Sequence, residues 1–242
     1  MKKLLAFLVI PLLLTGCIKI NTISDAIGSG NMKSETRDVT GYDSISISGM
    51  GTAEIIQGDK EGVVINADDN LLPYITTEVR NGRLHIGMKP GTINFQPTRS
   101  ILYTIYVKNL VGLDLSGAVD TKASSLKSES LHLELSGAGS LDMKDIDVTS
   151  LKVDLSGATK VTLTGVVVDQ DLELSGAGSY QAEDLVAVNT TVNLSGASAV
   201  TVNTSDRLSI NASGTGVVTY YGSPKVSKTV SGMVVVKSLG VK

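Results

Sequence analysis

A tetrapeptide, Leu-Ser-Gly-Ala, recurs at Leu115–Ala118, Leu135–Ala138, Leu155–Ala158, Leu174–Ala177 and Leu194–Ala197. Looser copies stand at Ala212–Thr215 and Val230–Met233, and an earlier one at Ile47–Met50. From Ser116 to Ser231 the serines are 20, 20, 19, 20, 18 and 18 residues apart. A unit this short cannot bury its own apolar face, so a regular period of this length requires successive units to stack into a solenoid.

The pattern inside each unit selects the kind of solenoid. Before each Ser-Gly the residues alternate apolar and polar, as in Leu131-His132-Leu133-Glu134-Leu135 and Leu151-Lys152-Val153-Asp154-Leu155. Period two is the mark of a strand with one face buried. A second alternation follows each serine (Leu141-Asp142-Met143, Val161-Thr162-Leu163, Val200-Thr201-Val202), and further apolar positions fall at Leu126, Ile146, Val166 and Leu185. No window carries the i, i+3, i+4 spacing of an amphipathic helix. The asparagine and flanking helix of a leucine-rich repeat are missing too. The expected fold is all-β: a single-stranded, right-handed parallel β-helix of roughly 20-residue coils.

The corner residues are expected to be structural. Glycine after serine supplies either a positive φ or room for close backbone approach at a sharp bend, and the following alanine is small enough to enter a narrow interior. The ladder residues are Ser116, Gly117, Ser136, Gly137, Ser156, Gly157, Ser175, Gly176, Ser195 and Gly196. Stacked about 4.8 Å apart, the serines are expected to satisfy polar corner groups between coils. None is expected to be a nucleophile: no histidine accompanies the motif, and the glycine that precedes serine in a nucleophile elbow is missing.

Composition fits such layers. Aromatic residues are only 4% of 242, with no tryptophan, while glycine counts 25. The net charge of −3 offers no basic field for nucleic acid, which is not expected as a partner. The first residues carry an address. Met1-Lys2-Lys3 is followed by an apolar run from Leu4 to Leu14, broken by Pro11, and by Leu14-Thr15-Gly16-Cys17. The run is too short for a membrane span, which needs about 20 residues, and reads as a signal peptide over residues 1–16. Its end resembles a bacterial lipobox, so Cys17, the one cysteine, is expected to carry acyl chains that anchor the protein in a membrane. Ile18 is not the aspartate associated with inner-membrane retention, which points to the outer membrane. Residues 17–38, with Gly28-Ser29-Gly30-Asn31, are expected to form the lipidated N-terminus and a flexible tether.

One outward column could do chemistry. Two residues before each repeat serine stand Asp114, Glu134, Asp154 and Glu173, then Asn193, Asn211 and Thr229. In register they form a row of carboxylates that repel unless a neighbour or cation relieves them. It reads as a solvated face partly relieved by Lys152 and His132, or as a cation- or ligand-binding strip. Acids placed one per coil show none of the break in repetition expected of a catalytic pair. His85 and His132 are far apart and each lies between inward apolar residues, so no zinc site is expected. Gly137-Ala138-Gly139 lacks the third glycine and the helix of a dinucleotide loop. No cofactor and no metal are expected.

Residues 39–242 form the expected folded domain, divided into 39–110, a first coil with an insertion, and 111–242, the regular repeats. Within the insertion, Tyr74–Arg80, Asn81-Gly82 and Arg83–Met88 predict a hairpin placed to cap the N-terminal end. After Asp206 there is no acid, while Lys225, Lys228, Lys237 and Lys242 follow; lysines on the last coils oppose edge-to-edge pairing. Tyr220 and Tyr221 are positioned to cover the core there.

The segments Tyr42–Gly49, Glu54–Gly58, Asn81–Ile86 and the Leu-Ser-Gly-Ala repeats resemble the head GIN domain family of putative auto-transporter adhesins, found in bacterial surface lipoproteins. The likeness runs from about residue 38 to 237. At Lys108-Asn109-Leu110, similar proteins often have a proline before the leucine. The resemblance implies a β-helix and carries over no catalytic or ligand residue. The expected function is a non-enzymatic cell-envelope lipoprotein presenting a rigid face to a glycan or surface protein, in adhesion or another surface interaction. One alternative is a polysaccharide-binding or -cleaving β-helix protein working through the acidic column. Another is a structural or envelope-stress protein with no external ligand.

Overall fold

The computed structural model describes residues 24–242, and side-chain burial from Ala26 onward. Cys17 and the leader fall outside the described residues. The chain enters through β1 (Ser24–Ile27) and β2 (Met32–Arg37), then β3 (Ser44–Gln57) and β4 (Gly62–Asp68). A single turn of 3₁₀ helix at Leu72–Tyr74 leads to β5 (Ile75–Arg80), β6 (Arg83–Met88), β7 (Thr92–Gln96) and β8 (Leu102–Val107). The repeats supply β9 (Gly112–Ser124), β10 (Lys127–Leu135), β11 (Ser140–Leu155), β12 (Lys160–Leu174), β13 (Ser179–Leu194) and β14 (Ala197–Ala212). The chain finishes in β15 (Thr215–Tyr221), β16 (Lys225–Val230) and β17 (Met233–Ser238). No α-helix occurs among the described residues.

From β9 onward every pairing is parallel, and each strand stacks on the one about 20 residues away. Leu141 pairs with Val161, Leu151 with Gln170 and Leu155 with Leu174; Val161 pairs with Tyr180 and Leu174 with Leu194. This is the expected β-solenoid. Its core is the inward column of each alternation: Leu131, Leu133, Leu135, Leu141, Met143, Ile146, Leu151, Val153 and Leu155 are all buried, and the same positions recur coil by coil. Burying one such side chain stabilises the fold by about 1.5–3 kcal/mol.

The glycine column shows which of the two expected reasons for glycine applies. Among the corner glycines only Gly117, at +99°, and Gly49 of the early copy, at +150°, have a positive φ. What every coil requires is space. A Cβ on Gly137 would stand 1.9 Å from the Gly117 carbonyl oxygen, one on Gly157 2.0 Å from that of Gly137, and one on Gly196 2.1 Å from that of Gly176. The backbones cross here in near contact, and amides of successive corners bond directly, Ala138 N to Gly117 O at 2.7 Å and Ala158 N to Gly137 O at 3.1 Å. The repeat serines, by contrast, do not form the expected polar ladder. Ser136, Ser156, Ser175 and Ser195 are exposed, and among them only the Ser175 hydroxyl reaches a carbonyl, that of Leu155 at 3.5 Å. Backbone-to-backbone bonds already satisfy the corner, leaving the hydroxyls to solvent. The repeat alanines are exposed as well; the small inward residues lie one position later, at Val119, Thr159 and Ser198.

The N-terminal third departs from its expected order. Strand β3 is not the outermost coil. Its first half pairs with β6 (Ile45 with Leu84, Ile47 with Ile86), its second half with β8 (Ile55 with Ile105), and its other edge with β9 along its length. The insertion thus folds back beneath β3 and supplies a coil of its own. The hairpin β5–β6 forms as expected, with Asn81 at φ 51° and Gly82 at φ 75°, the left-handed pair that a two-residue turn demands. Strand β4 lies antiparallel to β8, and β2 antiparallel to β4. Much of the segment expected as a flexible tether is therefore built into sheet: β2 closes this end and β1 pairs with β7. Its polar sequence hid this, because an edge strand buries few side chains and is held by its backbone.

Two buried polar groups staple the closure. The Tyr42 hydroxyl donates to Tyr106 O at 2.5 Å and accepts from Gly62 N at 3.1 Å. Asp68, fully buried, accepts from Gly30 N at 2.7 Å, Thr98 N at 2.9 Å and Thr98 Oγ1 at 2.7 Å. These bonds, the Thr98 hydroxyl foremost, hold its carboxyl below the ordinary 3.8.

Candidate functional site

The register brings the predicted acidic column together. Asp114 pairs with Glu134, Glu134 with Asp154, Asp154 with Glu173 and Glu173 with Asn193. The row continues through Asn211 to Thr229. In the other direction it reaches Ser46 and then His85. Because these positions point outward on successive parallel strands, they form a straight row with one polar group about every 4.8 Å.

The members are not equivalent. Asp114 is occupied by its own neighbours: it accepts from the Ser46 hydroxyl at 3.2 Å and lies 3.6 Å from the Arg83 guanidinium. Asp154 takes His132 Nε2 at 2.6 Å and Lys152 Nζ at 3.1 Å. These two basic residues stand one outward position earlier on their strands, and the sequence pattern had paired them with the acids. Arg83 was missed; it comes from the hairpin, and nothing in the repeat places it here. The Asp154 carboxylate raises the Lys152 ammonium above its ordinary value, and Glu173 and Asp171 add to the effect. Glu134 has no ion-pair partner within 4 Å among the described residues. Farther along, the row turns neutral, and the Asn211 amide donates to the Asn193 carbonyl at 3.1 Å.

That this row and the serines share a groove was not legible in the repeat. An open depression of about 480 Å³ runs along the stack, with Glu134, Asp154, Glu173, Asn193 and Asn211 on one side and Ser156, Ser175, Ser195, Ser213 and Ser231 on the other. Its floor is the corner at Leu155, Leu174, Leu194 and Ala212, whose side chains point into the core. Residues i and i+2 of a strand share a face, so acid and serine flank each inward leucine, and stacking turns the pair into two parallel walls. Asp114 and Ser116 lie outside the groove. Among the described residues, no group of three or more His, Cys, Asp or Glu is arranged to hold a metal ion. No helix among them is long and apolar enough to cross a membrane.

A second polar row lies inside the core. Gln170 donates to the Tyr180 hydroxyl, the Thr190 hydroxyl to the Gln170 carbonyl at 3.3 Å, and the Thr204 hydroxyl to Thr190 at 2.7 Å. Gln170 and Thr190 replace the inward leucines of the neighbouring coils. The repeat is therefore broken, but where no solute reaches it.

Parallel coils and a long, shallow polar groove define a β-solenoid that presents an extended surface. The family match agrees: residues 41–224 fit the model described as "Putative auto-transporter adhesin, head GIN domain", and the chain belongs to that family. Three solved structures share the fold. A putative adhesin from Bacteroides fragilis is 23% identical with a TM-score of 0.82, over 87% of this chain and 98% of that one. A putative lipid binding protein from Parabacteroides distasonis is 22% identical with a TM-score of 0.73, over 89% and 100%. A putative adhesin from the same organism is 21% identical with a TM-score of 0.69, over 89% and 100%. No curated protein matches the chain. An adhesin-like family points to a cell-surface protein.

Proposed function

We propose that this protein is a non-enzymatic envelope module, anchored through acylated Cys17 in the outer membrane, whose groove binds an extended, hydroxyl-rich ligand such as a surface glycan. The observation that carries this reading is the groove itself. It alternates carboxylates or amides with serine hydroxyls at a fixed spacing over several coils, which suits a polymer whose own donors and acceptors repeat. Asp and Asn oxygens accept from ligand hydroxyls, serines both donate and accept, and a hydrogen bond to a charged group contributes about 1.5–3 kcal/mol. Shallow sites of this kind gain affinity by adding contacts along their length. Adhesion is the role named for two of the relatives, while a third is named for lipid binding.

A glycan array probed with the protein tests the proposal. A hit weakened about tenfold by Glu134→Gln or Glu173→Gln supports it, since each variant removes one charged acceptor. Glycan binding untouched by both variants would move the site off the groove. Cleavage of a bound polysaccharide, lost in the same variants, would replace the non-enzymatic reading with that of a hydrolase or lyase. Release of a Cys17→Ala variant from membranes tests the anchor.

A further inference from the structure

The two ends of the solenoid are finished differently, and the C-terminal one is open. Strand β16 pairs only with β14 and β17 only with β15, so each keeps a free outer edge of unpaired backbone N–H and C=O groups. The last coil also leaves its core-facing column uncovered. Val226 lies over Leu208 and Val230 over Ala212, and both are 39% exposed although the residues beneath are buried. Between them, Lys228 lies over Ile210, a position that is apolar in every preceding coil of the array. Lys228 and Lys237 have no ion-pair partner among the described residues, and from Arg207 to Lys242 the chain has no acid.

We infer that this end is a docking surface for an extended polypeptide strand that continues the stack, with a carboxylate opposite Lys228 and apolar residues over Val226 and Val230. A free strand edge recognises another strand through its backbone, and the side-chain pockets set specificity. The charge selects the occupant. A second copy of this end would bring Lys228 and Lys237, neither of them ion-paired, against their own kind. A hydrocarbon surface would leave the two edges without hydrogen-bond partners. A strand with one acidic residue satisfies edge, apolar column and lysine together, and a misplaced lysine in the core column becomes the element that discriminates. This surface is separate from the carboxylates of the groove, so either reading can fail alone.

The test uses the full chain and two labelled, blocked peptides in which valine and threonine alternate around a central glutamate or a central lysine. Fluorescence polarisation should show the glutamate peptide binding at least about tenfold more tightly than the lysine peptide, as expected for a desolvated charge pair. The Lys228→Glu variant, checked for unchanged circular dichroism, should reverse that order. Hydrogen exchange should slow most in β16 and β17 and progressively less in the coils behind them. Equal binding of the two peptides, no binding, or protection centred away from β16 and β17 would overturn the inference. So would dimerisation that the glutamate peptide fails to compete with, or binding to phosphatidylglycerol vesicles without binding to the peptide. The wild-type comparison stands even if the variant does not fold.

Discussion

The N-terminal third and the repeat array hold together by opposite means. In the array, the same backbone contacts recur coil after coil, and the side chains only have to be small at the glycine and apolar inside. In the N-terminal third, antiparallel strands interrupt the parallel stack and single side chains fix the joint: Tyr42 between Gly62 and Tyr106, and Asp68 between Gly30 and Thr98. Repetition makes the array tolerant of substitution outside the glycine column and the inward apolar columns. The closure has no such redundancy, so its stability is concentrated in a few contacts that occur once.

The largest expected effect breaks the array. Gly157→Val places a branched side chain where even a Cβ would stand 2.0 Å from the Gly137 oxygen; destabilisation of about 4 kcal/mol or failure to fold is expected, read as the urea midpoint. Next comes the closure. Asp68→Ala leaves Gly30 N, Thr98 N and Thr98 Oγ1 without their acceptor, lowering the melting temperature by about 5 °C. The same residue predicts a pH dependence. Its folded pKa lies below the unfolded 3.8, so its contribution is present above pH 3.8 and lost as pH falls through the folded value. Thermal melts from neutral to acid pH should steepen below about pH 4 for the natural chain and less so for Asp68→Asn.

A smaller effect sharpens the contrast by placing an individual contact inside the array. Tyr180→Phe strips the buried Gln170 amide of its acceptor and should cost about 1–2 kcal/mol in chemical denaturation. The smallest is Ser156→Ala, beside Gly157 but exposed; a change within about 0.5 kcal/mol is expected, and a larger one would return a structural role to the serines.

The same contrast explains what could be read in advance. Alternation around Leu131–Leu135 and Leu151–Leu155, and the fixed serine spacing, follow directly from stacked strands, so the solenoid and its acidic row were legible. Asn81-Gly82 announced its turn for a similarly local reason. Strands β1 and β2 were not legible, because nothing in Met32–Arg37 alternates cleanly and its partner β4 lies 30 residues away. The groove escaped for another reason: each acid and serine share a strand face, but only the stacking of the corners makes a continuous depression of them. The interior row left one readable trace, a glutamine and a threonine where the pattern asks for leucine.

Coils that touch only their immediate neighbours make the array a one-dimensional zipper. Opening can start at a terminus at the cost of a single interface, whereas opening in the middle severs two. With one terminus locked by β2, β4 and Asp68 and the other bare, unzipping is polarised: amide exchange should be fastest in β17 and β16 and slow progressively through β14 and β12 toward β9. The molecule thus carries a built-in gradient of local stability along its own axis, with the groove lying across its looser half.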